Sequence, residues 1–167
     1  MKQLTAGLAA LLAIGVVGAS PLQAQDQDRQ RQRIHATEAQ RQQLRDCAAA
    51  AERFRERARE MLAGLEDPTL LAERARPYRD RLRLEFQALQ GRHERLVAGL
   101  ASRQRDQIRE RLAELDRLRE AVRQRLRLVD EGCDGPAWDR LRLRDHVQAV
   151  EQAAERICLQ YRELGLS

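Results

Sequence analysis

The chain has 167 residues, of which 34% are charged and only 3% aromatic, with a formal net charge of +5. That balance excludes a β-sandwich or an aromatic-rich α/β enzyme, and it matches the Ala/Glu/Leu/Arg usage of long helices. Lys2 is the only lysine, and the arginines alternate with Glu and Asp along nearly every turn. A nucleic-acid surface needs clustered positive charge with exposed aromatics, so nucleic acid is not an expected partner.

Met1-Lys2 is a short positive start, and Leu4 to Ala19 is an apolar run. Ser20-Pro21-Leu22-Gln23-Ala24 then ends on a small residue ahead of a polar stretch. This is the form of a secretory signal peptide. Cleavage is expected after Ala24, with Ala19 as the alternative, and removal of Lys2 leaves a net charge of +4. The apolar run is short for a membrane span, which takes ~20 residues, and nothing downstream is apolar enough to cross one. The expectation is export to the periplasm with no stable membrane span after cleavage.

Residues 25–36 are polar and aperiodic, and are read as a disordered arm. Residues 37–165 are read as one helical domain. Thr37-Glu38-Ala39-Gln40 has the form of a capping box. Leu44, Cys47, Ala51, Phe54, Ala58, Met61 and Leu65 then follow a 3-4 spacing, which makes 37–65 an amphipathic helix. Asp67-Pro68 predicts a second helix with Asp as N-cap and Pro in the first position. Pro77 predicts a kink or a separate short helix before it. Beyond it Tyr78, Leu82, Phe86, Leu89, His93, Leu96 and Leu100 form one seam, and Ile108, Leu112, Leu115, Leu118, Val122, Leu126 and Val129 another. Glu131-Gly132-Cys133-Asp134-Gly135-Pro136 is expected to end this helix, with a glycine as left-handed C-cap and Pro136 opening the last helix. Leu143, Val147, Val150, Ala154, Ile157, Tyr161 and Leu164 are that helix's apolar stripe. Trp138 is expected to plug the loop end.

With a break at Val97–Ser102, the segments 37–65, 68–98, 101–131 and 136–164 suit an all-α antiparallel bundle of about four long amphipathic helices. The alternative is an elongated coiled-coil hairpin with one unbroken helix over 68–131. Export permits disulfides. At ~1.5 Å per residue, Cys47 and Cys158 lie at similar heights near the same end of such a bundle, which predicts a Cys47–Cys158 bridge and leaves Cys133 over.

Two stretches in the chain look alike. Ala36-Thr37-Glu38-Ala39-Gln40-Arg41-Gln42-Gln43-Leu44 and Leu100-Ala101-Ser102-Arg103-Gln104-Arg105-Asp106-Gln107-Ile108 share Gln, Arg, Gln and an aliphatic residue at equal offsets, 64 residues apart. Both resemble the L-T-x-x-Q motif of the Spy/CpxP family of periplasmic stress proteins, which carries two copies. The first has Ala36 in place of Leu, and the second has Ala101 in place of Thr. Thr37, Gln40 and Gln104 are the motif residues expected to cap helices. The resemblance spans roughly 37–120, and the cysteines and the last helix lie outside its pattern. It implies an ATP-independent periplasmic chaperone or envelope-stress protein that holds clients on a basic, partly apolar helical face, often as a homodimer. Its partners would be unfolded or envelope proteins. The second reading is a non-enzymatic coiled-coil structural or adaptor protein of the envelope.

No nucleophile elbow, phosphate loop or triad is present, so no enzyme activity, cofactor or metal is expected. His93 with Glu94, and Asp145 with His146, are candidate ligand pairs without visible partners. Glu151 and Glu155 are read as salt-bridged surface.

Overall fold

The computed structural model describes residues 36–135 and 137–165, within one unit spanning 32–167. The expected signal peptide, the arm up to residue 35 and Pro136 lie outside the described residues. The fold is all-helical, with no strand among the described residues. Its elements are α1 (Glu38–Glu66), α2 (Ala72–Gly99), α3 (Ser102–Gln107), α4 (Arg109–Asp134) and α5 (Arg140–Gly165).

The chain enters α1 through the expected capping box. Thr37 Oγ1 accepts from the Gln40 amide at 3.2 Å, and Gln40 Oε1 accepts from the Thr37 amide at 2.9 Å. Ala36, read as part of the arm, instead packs against the core. All seven apolar positions of the α1 stripe are buried. Burying a side chain such as Phe54 or Leu65 stabilises the fold by about 1.5–3 kcal/mol.

The second helix starts later than Asp67-Pro68 predicts. Asp67 Oδ1 accepts from the amide and hydroxyl of Thr69 at 2.8 and 2.7 Å. That local turn holds Pro68 outside the helix, and α2 begins at Ala72 behind Leu71. No separate helix precedes Pro77: α2 is one α-helix that includes it. Proline deletes a single ladder bond there, in the second turn, while fully buried Ala75 anchors the preceding residues.

The unbroken helix over 68–131 does not form. Leu100 and Ala101 are extended, at φ/ψ of −83°/134° and −66°/156°, and α3 follows. Ile108 leaves helical geometry again at −114°/19° before α4. Leu100 and Ile108 are both buried, so the break turns two aliphatic side chains into the core that a straight helix would splay apart. Gly99 permits the close approach of α1: a Cβ on it would lie 3.3 Å from Gln43 Oε1.

The α4 terminus also departs from expectation. α4 runs through Gly132 to Asp134, and no described glycine has a positive φ. Gly135 takes the C-cap in an extended conformation, and a Cβ on it would fall 2.5 Å from the Glu131 carbonyl. Asp139 opens α5, its Oδ1 accepting from the Arg142 amide at 3.0 Å. Trp138 is partly buried against the core.

α1 packs along α2 and α5, and α4 packs along α5. α2 and α4 meet over much less of their surface. Cross-helix pairs run in opposite numerical order. Between α1 and α5, Glu52 meets Arg162, Arg55 meets Glu155 and Glu151, and the Leu65 carbonyl meets Arg140. Between α2 and α4, Arg79 meets Asp134, Arg83 meets Asp130, and His93 meets Asp116.

The expected Cys47–Cys158 bridge is not formed: Cys47, Cys133 and Cys158 are all unbonded and buried. Matching heights were not enough, because the two thiols point to different places. Cys158 Sγ lies against α1's flank, 3.2 Å from Glu52 Oε2 and 3.8 Å from the Ala48 carbonyl. Cys47 belongs to the apolar stripe of α1, in the core.

Candidate functional site

The two motif copies meet. Each copy places a glutamine three residues after its N-cap, and a side chain there can fold back onto the N-cap amide. Gln40 does so to Thr37 at 2.9 Å, and Gln104 Oε1 accepts from the Ala101 amide at 2.9 Å. Ala101 has no hydroxyl, so only this half of the box exists in the second copy.

The same two amides then pair with each other. Gln40 Nε2 donates to Gln104 Oε1 at 3.0 Å, and Gln104 Nε2 donates to Gln40 Oε1 at 3.1 Å. Gln40 Nε2 also donates to the Gly99 carbonyl at 2.9 Å, satisfying a C-terminal acceptor of α2. One reciprocal amide pair thus joins the start of α1, the end of α2 and the start of α3. Gln40 is 9% exposed, and at that burial an amide is tolerated because it is hydrogen-bonded. The junction holds backbone; it carries no acid, base or nucleophile.

A second polar cluster lies in the core. His93, a member of the second helix's apolar seam, is 3% exposed. Its Nδ1 is 2.7 Å from the hydroxyl of fully buried Tyr161, and its Nε2 is 3.4 Å from Asp116 Oδ1. Burial, reinforced by the Arg119 charge, lowers the His93 pKa to about 4 against the opposing pull of Asp116 and Glu94. Burial raises Tyr161 far above its ordinary range, so the phenol keeps its proton and donates to a neutral imidazole. Burial also pushes the Cys47 thiol up to about 12. A protonated thiol near the protonated Tyr161 phenol is a core arrangement; a nucleophilic cysteine needs a lowered pKa.

The remaining sequence candidates are structural or dispersed. Glu151 and Glu155 are both held by Arg55, at 2.9 and 2.5 Å, and Glu151 also by Arg59 at 3.0 Å. They clasp α5 to α1. Among the described residues no group of three or more His, Cys, Asp or Glu converges as a metal site. His146 Nδ1 faces Arg125 Nη1 at 3.3 Å, and burial and that arginine lower its pKa. Glu94 and Asp145 are exposed. No helix among the described residues is long and apolar enough to cross a membrane.

A groove of about 170 Å³ between α2 and α4 has Arg83, Gln87, Arg123 and Arg127 around the edges of Phe86 and Leu126. Such a surface offers guanidinium donors on apolar stems. The motif glutamines are legible in the sequence, whereas their pairing and the His93–Tyr161 contact are not. The only signal for the latter was a histidine and a tyrosine each occupying an apolar stripe position. Comparison with protein-family models, curated proteins and solved structures finds no match.

Proposed function

We propose that this chain is an exported, ATP-independent chaperone-like or envelope-stress binding protein of the Spy/CpxP kind, built as an antiparallel bundle of four long helices. The observation that carries the reading is the reciprocal Gln40–Gln104 pair. Two degenerate motif copies 64 residues apart have a joint physical role, which chance repetition in an Arg/Gln-rich sequence would not supply. The arginine-edged groove between α2 and α4 is the client surface in this reading, the periplasm its location, and unfolded or envelope proteins its partners, with a homodimer as the working assembly. It performs no catalysis.

The test is suppression of aggregation of a reduced or heat-unfolded client, with no nucleotide present. Substoichiometric to equimolar protein should lower light scattering in proportion to its amount, and Arg83→Ser combined with Arg127→Ser should weaken the effect. No suppression at tenfold excess would sink the reading.

The second reading, a non-enzymatic structural or adaptor protein, is favoured by one observation. Among the described residues the large apolar side chains left exposed are Leu71, Leu84, Leu141 and Leu159, which is little apolar surface for an unfolded client. It predicts specific capture of one folded envelope partner and indifference to unfolded clients.

A further inference from the structure

The outer face of α2 carries a seven-residue charge repeat. Glu73-Arg74, Asp80-Arg81 and Glu94-Arg95 are adjacent acid–base pairs separated by multiples of seven, and Gln87-Ala88 holds the remaining place. All of these residues are exposed. Successive residues turn by ~100° around a helix, so the acids form one row along α2 and the arginines a second row beside it. Between the rows run Pro77, Leu84, Gly91 and Ala98, also seven apart. Leu84, in the middle of that line, is 65% exposed.

The charges of these rows find few partners within the chain. Arg57 pairs with Glu60, Arg109 with Asp106 and Arg123 with Glu120, each three residues away on one stretch of chain. Of the six charges in the α2 rows, only Asp80 has an ion-pair partner among the described residues, Arg79. Arg74, Glu94 and Arg95 have no opposite charge three or four residues away, the spacing at which a helix pairs its own side chains.

We infer that this face of α2 is the contact between two copies of the chain, paired as parallel helices in register about a two-fold axis. A strict seven-residue repeat drifts ~20° per repeat around a straight helix. It stays on one seam only against a second helix wound left-handedly around it. The rows set the direction. In a parallel pair, the acid row of each copy faces the arginine row of the other, and it does so on both sides of the axis. In an antiparallel pair, acid would face acid and arginine would face arginine, and like charges repel. A helix bearing both complementary rows at matching heights is α2 itself, so the contact is isologous. The two Leu84 side chains then cover each other at the centre of the seam.

This contact gives the homodimer of the proposed function its surface, and it shares only Gln87 with the α2/α4 groove. Client holding is measured separately. A monomeric chain that suppresses aggregation would overturn the interface and leave client holding standing.

Sedimentation equilibrium of the full exported chain tests the inference. A monomer–dimer equilibrium is expected, weakened about tenfold or more between about 50 and about 500 mM salt, because exposed pairs are screened. Arg81→Glu with Arg95→Glu turns the arginine row acidic, and Asp80→Arg with Glu94→Arg turns the acid row basic. Each double variant alone should be monomeric, and an equimolar mixture of the two should dimerise. Under mild oxidation, Leu84→Cys and Ala98→Cys should each cross-link to the same position of a second copy, which a parallel pair in register permits at both positions. A monomer at about 0.5 mM, a dimer indifferent to salt, double variants that still dimerise alone, or a cross-link missing at either position would overturn the proposal. Should a double variant lose its helical circular dichroism, the salt dependence of the native chain and the two cross-links decide.

Discussion

Replacing Gln40 by alanine removes four hydrogen bonds at once. It deletes the acceptor for the Thr37 amide, the donor to the Gly99 carbonyl, and both bonds of the pair with Gln104. A net hydrogen bond contributes about 0.5–1.5 kcal/mol. Thr37 and Gly99 are exposed, so water replaces part of the loss, and the sum comes to about 2–3 kcal/mol. Thr37→Ala is the matched control: it removes only the hydroxyl that accepts from Gln40 at 3.2 Å and should cost about 1 kcal/mol. Urea denaturation followed by circular dichroism measures each. The decisive quantity is the coupling between Gln40→Ala and Gln104→Ala. A reciprocal pair should give about 1 kcal/mol of non-additivity or more, since residues in one network couple by about 0.5–3 kcal/mol. Additivity within about 0.3 kcal/mol would refute the idea that the two motif copies act as one junction.

Stability should fall with acid through His93. Its folded pKa is depressed to about 4, below the unfolded value near 6.5. The unfolded state therefore binds the extra proton in that window, and stability present above pH 6.5 is lost as pH falls toward 4, by up to about 3 kcal/mol; denaturation midpoints across pH 4–7 that stay flat would contradict this. Intact-mass measurement without reduction should show three unbonded thiols, and alkylation of native protein should be slow because all three are buried. A mass two hydrogens lower would show that a disulfide forms, and non-reducing peptide mapping would then have to find it at Cys47–Cys158. Two glycine substitutions should have opposite signs. A Cβ at Gly91 meets nothing closer than an arginine tip at 3.9 Å, so Gly91→Ala should stabilise α2 by about 0.5–1 kcal/mol. Gly135→Ala would put a Cβ 2.5 Å from a backbone carbonyl and should lower the melting temperature.

Much of the helical frame is legible in the sequence because the 3-4 spacing of apolar residues reports burial directly. The α1 stripe is buried at every predicted position, and Thr37 caps as its spacing to Gln40 requires. Element boundaries were less legible where two local chemistries compete. Asp67 can cap a helix or close a turn on Thr69, and the choice depends on Thr69 two residues on. Gly132 and Gly135 both suit a helix end, and which one serves depends on α5: a Cβ at Gly132 would meet Leu143 at 3.2 Å. The cysteine error has the same origin. Helical rise gives height along a bundle, but azimuth decides bonding, and azimuth follows from which helices become neighbours. The Gln40–Gln104 pair and the His93–Tyr161 contact join residues 64 and 68 positions apart. Periodicity places each on the correct face without saying what faces it.

The two motif copies touch through Gln40 and Gln104, and NMR measures that contact most directly. With selectively labelled glutamine, the side-chain amide protons of Gln40 and Gln104 should show mutual cross-relaxation. The Gln104 side chain should show it to the Ala101 amide as well. In an unbroken helix over 68–131, Gln104 would continue the α2 axis, and its side chain would have neither the Gln40 amide nor a free Ala101 amide to meet. Strong glutamine–glutamine cross-peaks at pH 7 are the predicted result. Their absence, with both side chains exchanging as freely as solvated amides, would contradict the fold-back and the function proposed on it.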